Sequence, residues 1–422
     1  MEHIYDYHGN IVNIGGYEPN EGDIPIVSIE GELYATKAQG KSNITITYKS
    51  ANESFTDYAT AKVQGDSSAT YPKKNYTITL FTDSARKSKS KRLFRDWDKP
   101  RNKFVLKANW IDHSHARNIV NARLWTQMVK SREDYATLPL ALRESNLAID
   151  GFPVKVYHNG VYYGLYTWNL PKDAMYGLDS DEDTNCIMQT EGGAINDNSM
   201  IFRQPTMNDR WRDELHDDMP SVIADSWTNV LSFVSTSTDA QFIAGIDSKI
   251  DLKSLIDMHI FVRTICGIDL IAKNQTFFTY DAEQWYAGMY DMDSTWGMPA
   301  IERQEEISWR PYNTVFQDGY NGYIQLHETN YLHDRIWNLF QNSVIARYEE
   351  LRSSVLSAGN IIGEFDKFTS QIPPYLYAED YAETTANGDF TAIPGKTDNN
   401  ILQIRDFVVK RLEYVDGTIL GE

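Results

Sequence analysis

Between Gly267 and Gly297 the chain reads GIDLIAKNQTFFTYDAEQWYAGMYDMDSTWG, and four side chains in it can do chemistry. Asp269 is followed five positions later by Asn274. Asp291 and Asp293 come further on in Asp-x-Asp spacing, with apolar residues between. Buried acids are costly unless something pairs them, and oxygen donors of this kind suit a hard divalent cation. Transfer of a phosphoryl group to a hydroxyl needs such a set: a carboxylate to orient the acceptor, oxygen ligands for the ion, and a cation on the phosphates. The same residues also fit a plainer role, with Asp269 and Asn274 capping a helix-to-strand turn and Asp293 ending a strand.

The elements that must position these groups follow from pattern. Residues 1–23 read as a polar leader with at most one hairpin. From Pro25 the segments IPIVSIEGEL, NITITYKS, ATAKVQG and YPKKNYTITLF alternate apolar and polar residues and are rich in β-branched types, which predicts strands. KFVLKANW predicts a buried strand. Asp112 and Ser114 are placed to cap a helix over 115–131. FPVKVYHNGVYYGLYTW predicts a hairpin turning at Asn159-Gly160. Residues 177–220 read as an irregular acidic insertion, and 221–422 as mostly helical, with helices at 332–359 and 399–415 and a loop over 373–397. TFFTYD and QWYAGMYDMD predict two short strands, so that Asp291 and Asp293, on the second strand or just past it, share one face. A mostly β part over 24–176 and a mostly helical part over 221–422, with a cleft between, give an α+β class.

Bulk composition narrows the function. The chain has 422 residues, 41% hydrophobic and 13% aromatic, enough for a sizeable core. A formal net charge of -19 disfavours nonspecific nucleic-acid binding, so a phosphate ligand needs a local cationic site. Cys186 and Cys266 are the only cysteines and read as two buried thiols. The start, MEHIYDYHGN, lacks a basic and then apolar signal, and no apolar run reaches the roughly 18–20 residues of a membrane span. A soluble protein is expected.

VQGDSSATYPKKNYTITLF, KFVLKANWIDHSHARN, HNGVYYGLY, the D…N…W…DMDSTWG stretch and IRDFVVKRLEYVD occur in this order. In that order they resemble the CotH kinase-like family of spore coat proteins and their bacterial and phage relatives. The resemblance covers about residues 24–418. It implies an atypical protein-kinase-like fold, use of ATP with Mg²⁺ or Mn²⁺, and phosphorylation of a coat or surface protein on Ser or Thr. It implies Asp269 as the catalytic acid, Asn274, Asp291 and Asp293 as the metal shell, Trp285 as an aromatic stacking on adenine, and Lys74 as the phosphate-contacting lysine, with Lys73 and Lys107 as rivals.

This sequence departs from the family pattern at two places. Gln64 stands where the family has Arg. Asn169, Leu170 and Pro171 stand where a Glu that pairs with the phosphate-binding lysine would fall, and the helix over 115–131 carries no acid; Asp173 and Glu144 are the candidate substitutes. Those departures keep open an alternative, a catalytically weak or inactive kinase-like structural or adhesion protein such as a phage or prophage tail component. A metal-dependent hydrolase fits less well, for want of a nucleophile–base pair. The GDSS turn at 65–68 offers backbone N–H groups to a phosphate or is an ordinary turn. The basic run Arg86–Arg95 is either a docking patch or a solvated loop. His113 and His115, two apart beside Asp112, fit either a metal site or helix capping. The acceptor protein and the oligomeric state are not legible at this level.

Overall fold

The structure, a computed structural model, describes residues 3–5, 11–13, 24–65, 67–190, 201–271, 273–298, 309, 311–313, 330–386 and 400–421. In the leader, β1 (His3–Tyr5) pairs antiparallel with β2 (Ile11–Asn13).

Seven strands then close a barrel: β3 (Ile26–Gly31), β4 (Lys41–Lys49), β5 (Ser54–Gln64), β6 (Asn75–Phe81), β7 (Lys103–Lys107), β8 (Gly151–His158) and β9 (Val161–Asn169). Their spatial order is β3-β4-β5-β6-β7-β9-β8, and a parallel β8–β3 pairing makes the closure. The period-2 pattern drives this. Ile44, Ile46 and Tyr48 of β4 and Ala59, Ala61 and Val63 of β5 point inward, their neighbours outward. Asn159 and Gly160 form the β8–β9 turn with φ of 49° and 80°, the two left-handed residues of a type I′ turn. Phe94 plugs one end of the barrel, its ring 5.1 Å from those of Tyr48 and Phe104. The basic run is folded onto the same wall. Arg92 pairs with Asp57, and Arg86 donates to the carbonyls of Ala59 and Ile44.

Helix α1 (Arg117–Lys130) leaves the barrel after β7; the short α2 (Leu140–Arg143) precedes β8. The stretch expected as an irregular insertion supplies two strands, β10 (Cys186–Thr190) and β11 (Trp211–Asp213). With β12 (Gln275–Thr279) and β13 (Trp285–Met289) they form a four-stranded sheet ordered β11-β10-β12-β13. The helices of this part are α3 (Ser221–Thr236), α4 (Asp239–Gly245), α5 (Leu252–Thr264), α6 (Tyr331–Arg352), α7 (Ala358–Thr369) and the closing helix Asn400–Ile419; α5 packs on β13, α6 on α5, and α7 on α1 and the closing helix. A further helix, α8 (Pro374–Ala386), occupies most of the predicted loop and packs against β9. The chain is thus α+β, with a closed sheet in its N-terminal part. Among the described residues no helix is long and apolar enough to cross a membrane.

Candidate active site

A pocket of about 310 Å³ takes its lining from both halves of the molecule. The β12–β13 hairpin builds one wall. Asn274 sits immediately before β12, and Asp291 two residues after β13, so the antiparallel register places them side by side at one end of the hairpin. Both adopt positive φ, 61° and 55°, a region Asn and Asp tolerate better than other side chains. The Asn274 amide donates to Asp269 Oδ2 at 2.9 Å, and Asp269 itself rides on a 3₁₀ turn, Ile268–Leu270. Asp269, Asn274, Asp291 and Asp293 all line the pocket.

The strand alternation expected for Asp291 and Asp293 is not what joins them. The strand ends at Met289, and the two acids lie in a loop whose intervening Met292 is buried. Three polar residues on one face of α1 hold that loop. Asn118 accepts from the Met292 amide, Asn121 donates to the Met292 carbonyl and accepts from the Trp296 indole, and Arg117 donates to the Thr295 carbonyl. Arg117 is itself fixed by Asp112, whose other oxygen accepts the Arg117 backbone N–H. The sequence ARNIVNA therefore positions the acids. Its signal was visible as three polar residues interrupting the apolar stripe of a helix.

Electrostatics divides the acids. Burial raises the Asp291 carboxyl, but Lys107, 3.0 Å away, with Lys172 and Lys273, outweighs burial and holds it below the ordinary range. Asp293 is pushed up to about 8 by burial and then by the charge of Asp291, with Asp269 and Asp112 adding to this against Lys107.

The cationic side differs from the expectation. Lys74 donates to the Ala69 carbonyl and is not among the lining residues. Lys107 and Lys73 line the pocket instead. Lys73 is buried and ion-paired with Asp380 of α8 at 2.6 Å. The β9 segment Gly164-Leu165 wraps this pair: the Leu165 carbonyl accepts from Lys73 and its amide donates to Asp380. A Cβ on Gly164 would meet Lys73 Cε at 2.8 Å and Asp380 Oδ1 at 3.0 Å, so only glycine leaves room there. Lys73 thus has an acidic partner that lies 215 residues beyond Leu165 in the chain. Of the expected substitutes, Asp173 pairs with Lys103, and Glu144 is exposed at the end of α2. Lys172, held by Glu214 and Gln189, and Lys273 also reach the pocket.

Trp285 is corrected too. It is wholly buried, 4.6 Å from the Trp227 ring, with its indole N–H donating to Ser226, so it has no face to offer a base. Aromatic surface at the pocket comes from Tyr71, Trp110 and Tyr290. Of the GDSS turn, Gly65 and Ser68 line the pocket; Asp66 lies outside the described residues.

No curated protein matches the chain. The model of one family, described as CotH kinase protein, matches residues 61–415, which carry the barrel from within β5 onward, the acidic hairpin and most of the closing helix; the chain belongs to that family.

Proposed function

We propose that the chain transfers a phosphoryl group from ATP, held with Mg²⁺ or Mn²⁺, to a Ser or Thr hydroxyl of a coat or surface protein. The observation that carries this is the convergence of Asp269, Asn274, Asp291 and Asp293 with Lys73 and Lys107 on one pocket. The donor set suits a hard cation: it is all oxygen, and the reluctance of Asp293 to ionise beside Asp291 is what a divalent charge relieves. Asp291 and Asp293, with the Asn274 amide oxygen, would hold the ion, which supplies charge neutralisation on the phosphates.

The chain's own groups do the rest. Asp269, oriented by Asn274, positions the acceptor hydroxyl and takes its proton. Lys107 exchanges the Asp291 carboxylate for phosphate oxygen, and Lys73, anchored by Asp380, meets the phosphates from the barrel side. Catalysis is then placement plus charge stabilisation.

Two measurements test this. Calorimetric titration of Mn²⁺ and ATP into wild type and Asp291→Ala should show binding lost in the variant; equal affinity refutes the metal assignment. Autophosphorylation read by mass spectrometry should fall about 10²–10⁴-fold in Asp269→Ala, the range for removing a proton acceptor. Nucleotide binding without phosphorylation in wild type would reduce the chain to a binding protein.

A further inference from the structure

The loop before α1 and the helix α8 meet behind Lys73, and their contact places three metal-ligating side chains together. His113, His115 and Asp380 each offer a ligand atom, all within 4.8 Å of one another. We propose that they form a binding site for a transition-metal ion of the Zn²⁺ type, separate from the acidic hairpin and independent of the phosphoryl-transfer reading.

Two of the ligands are already set. His115 Nε2 and Asp380 Oδ2 are 3.2 Å apart. Two donors at about 2.0–2.1 Å from a tetrahedral ion stand about 3.3 Å apart. Asp380 is fixed through its other oxygen by Lys73 and the Leu165 amide. His115 is fixed by its left-handed backbone, φ 56°, and by the Asn109 side-chain amide, 3.2 Å from Nδ1. Turning that amide, which gives up its present donation to Thr167 Oγ1 and the Lys107 carbonyl, makes its oxygen face Nδ1 and puts the proton there and the lone pair on Nε2, the usual support for a metal-bound imidazole. His113 is the movable third ligand. Its ring is partly exposed and stands edge-on to Tyr377 and Tyr381; with the ligand atoms within 4.8 Å of one another, closure to the spacing of a tetrahedral pair asks it to swing inward by up to about 1.5 Å.

Ligand chemistry sets the ion. Two imidazoles and one carboxylate select Zn²⁺, Co²⁺ or Ni²⁺ over Mg²⁺, and three protein ligands leave a position for water. The Lys73 ammonium on the far oxygen opposes the ion's charge, so binding is weaker than in a closed four-ligand site. The acid expected beside the histidines, Asp112, is not part of the group; Arg117 takes it.

The test uses the full chain stripped of metal. One equivalent of Co²⁺ should give the intense visible absorption of a tetrahedral site, removed by Zn²⁺ and untouched by excess Mg²⁺. Replacing a supporting residue around a metal costs about 10–100-fold in affinity, so loss of a direct ligand in His113→Ala should cost about 100-fold or more. His113 serves because its ring is partly exposed; unchanged metal-free melting shows that this variant folds. Asp291→Ala should keep the Co²⁺ spectrum. Equal affinity in wild type and His113→Ala, a weak octahedral spectrum, displacement by Mg²⁺, or loss of the spectrum in Asp291→Ala would each overturn the site.

Discussion

The Lys73–Asp380 pair should hold α8 to the barrel, and cutting it should be expensive. Both side chains are almost wholly buried, at 7% and 0% exposure. Asp380→Leu leaves an ammonium in the interior facing the Leu165 carbonyl and the ring of Tyr166, 4.6 Å from its centre. Lys73→Met leaves a carboxylate with one amide and His115. Removing one partner of a buried pair costs about 3–5 kcal/mol, whereas replacing both by apolar side chains is often close to neutral. Each single variant should therefore lower the folded-to-unfolded ratio by about 10²–10⁴-fold, and Lys73→Met/Asp380→Leu should recover most of that loss. The assay is urea unfolding in metal-free buffer, followed by tryptophan fluorescence and far-ultraviolet dichroism together, because coincident curves establish a single transition. The reasoning fails if either single variant costs under about 1 kcal/mol, or if the double variant costs the sum of the two, since groups that interact must show coupling.

Two further outcomes follow from buried groups elsewhere. His259 of α5 and His333 of α6 are buried with Nδ1 atoms 3.3 Å apart, and burial, then the Arg263 charge, hold both well below the ordinary histidine range. Below pH 6.5 the unfolded chain takes up protons these rings refuse, so stability falls as pH drops, by up to about 1.4 kcal/mol per pH unit per ring. His333→Gln should remove one ring's share, read as the wild-type-minus-variant difference in unfolding free energy between pH 7 and 5; a flat difference contradicts the assignment. Cys186 and Cys266 are buried free thiols, and burial, then Asp213, raises Cys186 further. A thiol reagent should modify neither in the native protein and both in denaturant, and rapid native labelling would show the fold to be looser than described.

The sequence made the strands of the N-terminal part legible, though not their closure into a barrel, because β4 and β5 alternate strictly and Asn159-Gly160 fixes one turn outright. It hid α8 for a physical reason. The helix buries Leu376 and Asp380 on one face, and a buried acid breaks the apolar pattern by which a helix is found. Pro374 as the first helical residue was a usable start signal. Strands β10 and β11 were masked by the turn-rich, acidic residues around them, and the pairing of β10 with β12 depends on contacts about 90 residues apart, which local spacing does not carry. The acids of the site were legible as types and order, while what joins Asp291 to Asp293 was not: a loop held from α1 replaced the expected strand face. Trp285 went wrong because distance along the chain to Asp291 says nothing of which side of the sheet a ring faces.

The charges of the pocket make sense only together. A chain with net charge -19 repels a nucleotide at long range, so whatever attracts phosphate must be local. The pocket gathers Lys37, Lys73, Lys107, Lys172, Arg212 and Lys273, and Lys73, Lys107 and Lys172 pair with Asp380, Asp291 and Glu214. Pairing keeps each cation affordable in a partly buried wall, yet the partners differ in what they can give up. Asp380 is fully enclosed and holds Lys73 through one oxygen, whereas Asp291 stands open to the pocket at 33% exposure and, on the proposed reading, can trade Lys107 for a metal ion. A ligand that brings both a divalent cation and phosphate oxygens satisfies both halves of the Lys107–Asp291 pair at once. A free phosphate releases Lys107 but leaves Asp291 unpaired beside Asp293, and a metal alone does the reverse. If the proposed function holds, the pocket would favour the metal–phosphate complex over either component, which is the selectivity a phosphoryl-transfer site needs.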